Sequence, residues 1–174
     1  KPQSFYAHTK AECENLIRWY SQIHDIHFTV FRYFNVLGDS GNSYSDPDAK
    51  NALPLMIDAI LGKRKEFVIF GNDYETNDGT GLRDYIDIND LIDAHILVVN
   101  KSTDSIINLG SGSGCTVLEL IEALEDVSGK KLNCRIAQRR EGDIASSVAS
   151  IEKAAQLLGW KPLTVLKEMV RTSY

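Results

Sequence analysis

Tyr6 and Lys10, in the stretch "SFYAHTKAECE", stand four residues apart where the apolar spacing predicts the opening turns of a helix. At that spacing a phenol and an ammonium share one helix face and can meet. A tyrosine titrates near ~10 and is a poor base at neutral pH unless a neighbouring cation stabilises its phenolate. Lys10 is placed to do so. The pair could then take a proton from a substrate hydroxyl while a hydride leaves the same carbon. The same spacing also suits an ordinary pair on a helix surface, so spacing alone does not choose between the two.

The elements that must position the pair alternate between helical and extended patterns. A helix is predicted from Ser4 to about His24, with Cys13, Leu16, Ile17 and Tyr20 as its apolar stripe. "HFTVFRYFNVLG" (27–38), rich in β-branched and aromatic residues, reads as one buried strand, and the Gly, Ser, Asn, Asp and Pro of 38–51 as a loop. A helix over 53–62, a strand over 66–71 and a polar loop over 72–81 follow. After "LRDYIDI" a helix runs from Asn89, its expected N-cap, to about Asn100. Then come a strand (105–110), a helix (116–129) with Thr116 and Glu119 in capping-box register, a strand (131–138) and helices over 151–158 and 163–173. This alternation predicts an α/β layered fold in one compact body, although its first strand follows its first helix.

Composition bounds the function classes. The chain has 174 residues, 43% of them hydrophobic and 25% charged, with a net charge of -5. That suits a water-soluble globular protein, and no apolar run nears the ~20 residues of a membrane span. There is no secretory-leader pattern, and the three cysteines, Cys13, Cys115 and Cys134, lack paired spacing, which predicts a reducing, cytoplasmic setting. The acidic balance argues against nucleic-acid binding, the only short basic runs being "GKRKE" and "QRRE". His8, His24, His27 and His95 have no metal-ligand spacing and read as surface or helix residues. "NLGSGSGCTVLEL" imitates a dinucleotide fingerprint, but Cys115 stands where the third glycine of G-x-G-x-x-G would fall. A turn leading into a helix is the expectation there.

Behind Tyr6 and Lys10 come "FRYFNVLG" (31–38), "FGNDYETNDGTGLRDYIDINDLIDAH" (70–95), "INLGSGSG" (107–114) and "RREGD" (139–143). In this order they resemble the extended short-chain dehydrogenase/reductase superfamily. The long "FGNDYETNDGTGLRDYI" segment is similar, more specifically, to the UDP-glucose 4-epimerase (UDP-galactose 4-epimerase) family. The resemblance covers nearly the whole chain but only about the second half of such an enzyme. It implies the last part of a Rossmann-like NAD-binding fold, interleaved with a smaller α/β substrate-binding domain. The glycine-rich NAD loop, and the Ser or Thr completing the Tyr/Lys triad, are then expected upstream of Lys1.

The resemblance also implies roles. Tyr6 is the acid/base on the sugar 4-hydroxyl, and Lys10 lowers its pKa and hydrogen-bonds the nicotinamide ribose of NAD. Phe34 lies by the nicotinamide end, and Asn35 reaches the diphosphate. Asn51 holds the UDP-sugar, Val68 and Phe70 flank the uracil, Arg83 and Arg140 grip the diphosphate, and Asp143 the ribose. Two guanidinium forks suit a pyrophosphate because arginine offers planar, permanently charged bidentate donors. Taken alone, Arg83 beside Asp84 also reads as a plain surface ion pair, "RREG" as a solvated turn, and the "FRYF" aromatics as strand core. The chain departs from the family at Asp87, where a histidine is frequent, and at Ser147, where some relatives carry a bulky tyrosine against the sugar. A small residue there implies room for an N-acetyl group, and so UDP-GlcNAc/UDP-GalNAc exchange as well.

The implied reaction interconverts UDP-galactose and UDP-glucose through a 4-keto intermediate with bound NAD, in a homodimer or with a companion N-terminal half. By itself the chain is expected to be inactive. The alternatives are another nucleotide-sugar epimerase (a UDP-uronate epimerase) or dehydratase, or a non-catalytic UDP-sugar-binding fragment. "SFYAHTK" shows no extra acid/base pair of the kind a dehydratase needs.

Overall fold

The computed structural model describes residues 2, 4–41, 48–99 and 101–174. The middle of the loop expected over 38–51 (residues 42–47) and the helix end expected at Asn100 therefore lie outside the described residues.

Helix α1 spans Phe5–His24, with the Ser4 hydroxyl capping it by accepting from the Ala7 amide at 3.1 Å. Its apolar stripe does not face the core of this chain. Glu14 is its one buried residue, while Leu16, Trp19 and Ile23 are about two-thirds exposed.

The single buried strand expected over 27–38 is instead two strands, β1 (Thr29–Tyr33) and β2 (Asn35–Leu37). The break at Phe34 is a change of partner. Phe34 donates its amide to the Leu109 carbonyl at 3.1 Å, and the next amide, of Asn35, turns to the Asp84 carbonyl at 3.2 Å. Thus β1 pairs in parallel with β6 (Ser105–Leu109), and β2 in parallel with β5 (Tyr85–Asp87). Of the two strands only Leu37 is buried, and Tyr33 of "FRYF" is half exposed.

Helix α2 (Ala52–Ile60) and strand β3 (Phe67–Phe70) follow, β3 pairing in parallel with β8 (Cys134–Ala137). Strand β4 (Leu82–Arg83) lies between β7 (Cys115–Thr116), antiparallel to it, and β9 (Ser146–Ser147), parallel to it. Helix α3 is Ile88–Val99, so Asn89 lies inside it and is not its cap. The Asp87 carboxylate takes that role, accepting from the Asn89 amide at 2.8 Å. Helix α4 (Val117–Ser128) has the expected capping box: Thr116 Oγ1 accepts from the Glu119 amide at 3.2 Å, and Glu119 Oε2 from the Thr116 amide at 2.7 Å. Helices α5 (Glu152–Leu158) and α6 (Leu166–Ser173) close the chain.

These elements enclose two cores. One joins α2, β3, α4 and α6 through Leu53, Met56, Leu120, Leu124 and Val170; the other joins β6, α3 and α5 through Ile107, Leu91, Ala154 and Trp160. Strands β2 and β5 contribute to both, Leu37 and Tyr85 to the first and Ile86 to the second. Side chains in this short parallel pair are thus held from both faces.

Candidate functional site

Where β2, the start of α2, β3 and β4 meet the turn at 138–145, a cleft of about 400 Å³ opens. Seven of the residues singled out by sequence line it: Asn35, Asn51, Val68, Phe70, Arg83, Arg140 and Asp143. They come from stretches as distant as Asn35 and Asp143, brought together by the β2–β5, β3–β8 and β4–β9 pairings.

The polar groups are already oriented. Arg140 donates through Nε and Nη2 to the two carboxylate oxygens of Asp143 at 2.8 and 3.2 Å, with its guanidinium 4.7 Å from the Phe70 ring centre. Ion pair and ring face fix that cation at the mouth of the cleft. Arg83 is partly buried and donates through Nη1 to the Leu82 carbonyl at 2.8 Å. Asn35 donates its side-chain amide to the Asp84 carbonyl at 2.7 Å. Asn51 caps α2 by backbone geometry alone, leaving its side chain uncommitted to the helix.

Asp84 is not the surface ion-pair partner that its place beside Arg83 suggested. It is fully buried, and its carboxylate accepts from the Ser111 amide and hydroxyl (2.7 and 2.5 Å), the Gly112 amide (3.0 Å) and the Ala149 amide (2.9 Å). Gly110 is required here: a Cβ would come within 2.6 Å of the Asp84 carboxylate. The glycine-serine run at 110–114 is thus the expected turn, wrapped around the buried Asp84 side chain rather than open to an external phosphate.

A second, shallower depression, about 600 Å³, shares Asn35 and Arg83 with the cleft and is lined also by Phe34 and Ser147. Ser147 stands in register with Arg83 in the β4–β9 pair. Tyr6 and Lys10 line neither hollow. They meet on exposed α1, with the Lys10 ammonium 5.4 Å from the Tyr6 ring centre and Tyr6 69% exposed.

Two tyrosines in the cleft wall went unassigned from sequence. Tyr85, on β5, is buried, which pushes its phenol above the usual tyrosine range and keeps it protonated. Tyr74 lies under the Arg139 guanidinium, 4.0 Å from ring centre to carbon, and its buried hydroxyl has no hydrogen-bond partner among the described residues. Both stand inside the stretches that carry the family resemblance, but nothing in local spacing distinguishes a lining tyrosine from a core one. The loop bearing Tyr74 is pinned by Asp78. Burial opposes that carboxylate's ionisation, but hydrogen bonds from Thr116 and Thr80 outweigh it and hold its pKa below the usual range. Among the described residues no group of three or more His, Cys, Asp or Glu is placed to hold a metal.

The family profile of the "NAD dependent epimerase/dehydratase family" matches residues 1–110. The UDP-glucose 4-epimerase of Rhizobium meliloti (strain 1021) is 41% identical over 169 residues, covering 92% of this chain and 51% of that protein. The UDP-glucose 4-epimerase of Bacillus subtilis (strain 168) is 39% identical over 178 residues, 97% of this chain and 52% of that protein. The crystal structure of UDP-glucose 4-epimerase from Bifidobacterium longum, in complex with NAD+ and UDP, superposes with a TM-score of 0.88 at 36% identity, over 97% of this chain and 52% of that one. The chain thus spans about half the length of the curated relatives it matches.

Proposed function

The chain belongs to the NAD dependent epimerase/dehydratase family, and from that footing we propose that it is the UDP-sugar-gripping part of a UDP-glucose 4-epimerase, interconverting UDP-galactose and UDP-glucose. The observation that carries this reading is the convergence of seven matched residues on one cleft. Val68 and Phe70 offer an apolar wall for a uracil, and Asp143 an acceptor for its ribose. Arg83 and Arg140 offer two permanent cations for a diphosphate, with Asn35 and Asn51 as amides beside them. The neighbouring depression, sharing Arg83 and bounded by Phe34 and Ser147, is where the hexose would turn over.

When bound, NAD supplies a reversible hydride acceptor for the sugar carbon. On this chain Tyr6 would move the proton of the 4-hydroxyl, Lys10 would stabilise the phenolate and hold the nicotinamide ribose, and Phe34 would lie by the nicotinamide end. The exposed Tyr6–Lys10 pair fits contact with another body. The glycine turn, closed on Asp84, leaves no phosphate cradle there. In this reading the glycine-rich part of the nucleotide site comes from an upstream segment or a companion chain. The exposed apolar side of α1 suits such a partner, or a second copy in a homodimer. Three free cysteines and the absence, among the described residues, of a helix long and apolar enough to cross a membrane accord with a cytoplasmic setting.

A second reading, a UDP-sugar-binding piece without catalysis, is favoured by one observation: Tyr6 and Lys10 line neither hollow. Incubation with UDP-galactose and NAD+, followed by chromatography for UDP-glucose, separates the two. Conversion supports the epimerase with its nicotinamide site assembled. Saturable UDP binding without conversion supports the second reading, and absence of UDP binding would overturn both.

A further inference from the structure

Three candidate contacts, Asn35, Arg83 and Ser147, sit on three different strands, and a single residue touches the backbone or side chain of all three segments. The Asp84 carbonyl accepts both the backbone and side-chain amides of Asn35 (3.2 and 2.7 Å), and its own amide donates to the Ser147 carbonyl at 3.0 Å. Arg83 is its covalent neighbour. The same residue's carboxylate, fully buried, gathers four donors from the 110–114 turn and Ala149. Each carboxylate oxygen has two partners, and none of those partners is a cation. A carboxylate that satisfied by fixed N–H and O–H groups leaves its own backbone very little freedom.

We infer that Asp84 is a positioning residue: its buried carboxylate clamps the turn at 110–114 and so fixes the strand segment that aims Arg83 and Asn35 at the diphosphate. The inference rests on the UDP reading of the cleft. Its distinguishing consequence is that a change made behind the cleft, at the donors of the carboxylate, is felt by a ligand on the other side. Ser111 supplies two of the four donors and lines neither the cleft nor the shallower depression.

The test is UDP and UMP titration by calorimetry on the whole chain and three variants. Asp84→Asn places an amide N–H₂ against backbone donors. Ser111→Ala removes the hydroxyl that donates to Asp84 and accepts from the Ser113 and Gly114 amides, loosening the same clamp while leaving the carboxylate in place, so it decides the matter if Asp84→Asn fails to fold. Leu91→Ala, in the core between α3 and β6, is a destabilised control that lines neither hollow. Asp84→Asn is expected to weaken UDP about tenfold and Ser111→Ala by several-fold, with the preference for UDP over UMP shrinking in both. Leu91→Ala should bind both nucleotides as the parent does. Unchanged UDP affinity in folded Asp84→Asn and in Ser111→Ala would overturn the role. So would equal loss of UDP and UMP, or a like loss in Leu91→Ala, because either would reduce Asp84 to general stability. Failure of the parent chain to bind UDP would overturn the cleft reading itself, and this role with it.

Discussion

Glu14 and Arg32 are joined fork to fork, Nε to Oε1 and Nη2 to Oε2, each at 2.6 Å. Glu14 is the one buried residue of α1, so this pair is the polar tie between the helix that carries Tyr6 and Lys10 and strand β1. The Arg32 hydrogen bonds and charge hold the Glu14 carboxyl below the usual glutamate range, against the opposing effect of burial. Because the folded-state value is the lower one, the pair's stabilisation is complete above the unfolded value of 4.5 and is lost as pH falls through the folded one. Backbone protection of α1, measured by hydrogen exchange and corrected for intrinsic rates, should therefore drop below about pH 4.5. Glu14→Gln should lower it at neutral pH by about 1–2 kcal/mol, between the exposed and buried limits for ion pairs, and remove the acid dependence. An acid dependence that survived Glu14→Gln would assign it to another carboxylate.

On the proposed UDP reading, Arg140 and Asp143 should separate stability from binding. Arg140 is largely exposed, so the pair contributes about 0–1 kcal/mol to folding, and either truncation should barely move the melting temperature. Arg140→Ala should nevertheless weaken UDP by about 10–100-fold, the effect of removing a charge-assisted fork from a phosphate. Calorimetry and thermal melts on one set of variants check both halves, and a large stability loss with intact binding would reverse the assignment.

Tyr74 offers an inverted result. Its buried hydroxyl lacks a partner among the described residues, so removing it relieves an unsatisfied polar group. Tyr74→Phe is expected to be neutral or stabilising by up to about 1 kcal/mol in a denaturant titration. A clear destabilisation would mean that the hydroxyl is paired in solution, by water or otherwise.

In the proposed reading Ser147 borders the sugar. Its small side chain at the shallower depression would then leave room for an N-acetyl group, so Ser147→Tyr should lower turnover of UDP-GlcNAc relative to UDP-glucose in the assembled enzyme. An unchanged ratio would remove Ser147 from the specificity determinants.

The cysteines divide by burial. Cys13 and Cys134 are exposed, whereas burial, aided by the charges of Glu119 and Asp84, pushes the Cys115 thiol up to about 12. Alkylation of the native protein at neutral pH should label Cys13 and Cys134 within minutes and Cys115 only after unfolding, as peptide mass spectrometry would show. Rapid native labelling of Cys115 would mean that α4 and β7 open locally.

What the sequence determined by itself was local. The Thr116–Glu119 capping box and the apolar stripe of α1 each act within a few residues, so those helices were legible before any contact was known. The family resemblance likewise singled out seven residues that line the cleft, but not its tyrosines, Tyr74 and Tyr85. Tertiary structure decided everything that depends on a distant partner. Residues 27–38 look like one strand, and only the arrival of Leu109 and Asp84 from far along the chain breaks it at Phe34. Asp84 looks like a surface charge beside Arg83 until Ser111, Gly112 and Ala149 close around it. The apolar stripe of α1 was readable as a stripe, but which body it faces is fixed by burial, which no periodicity encodes.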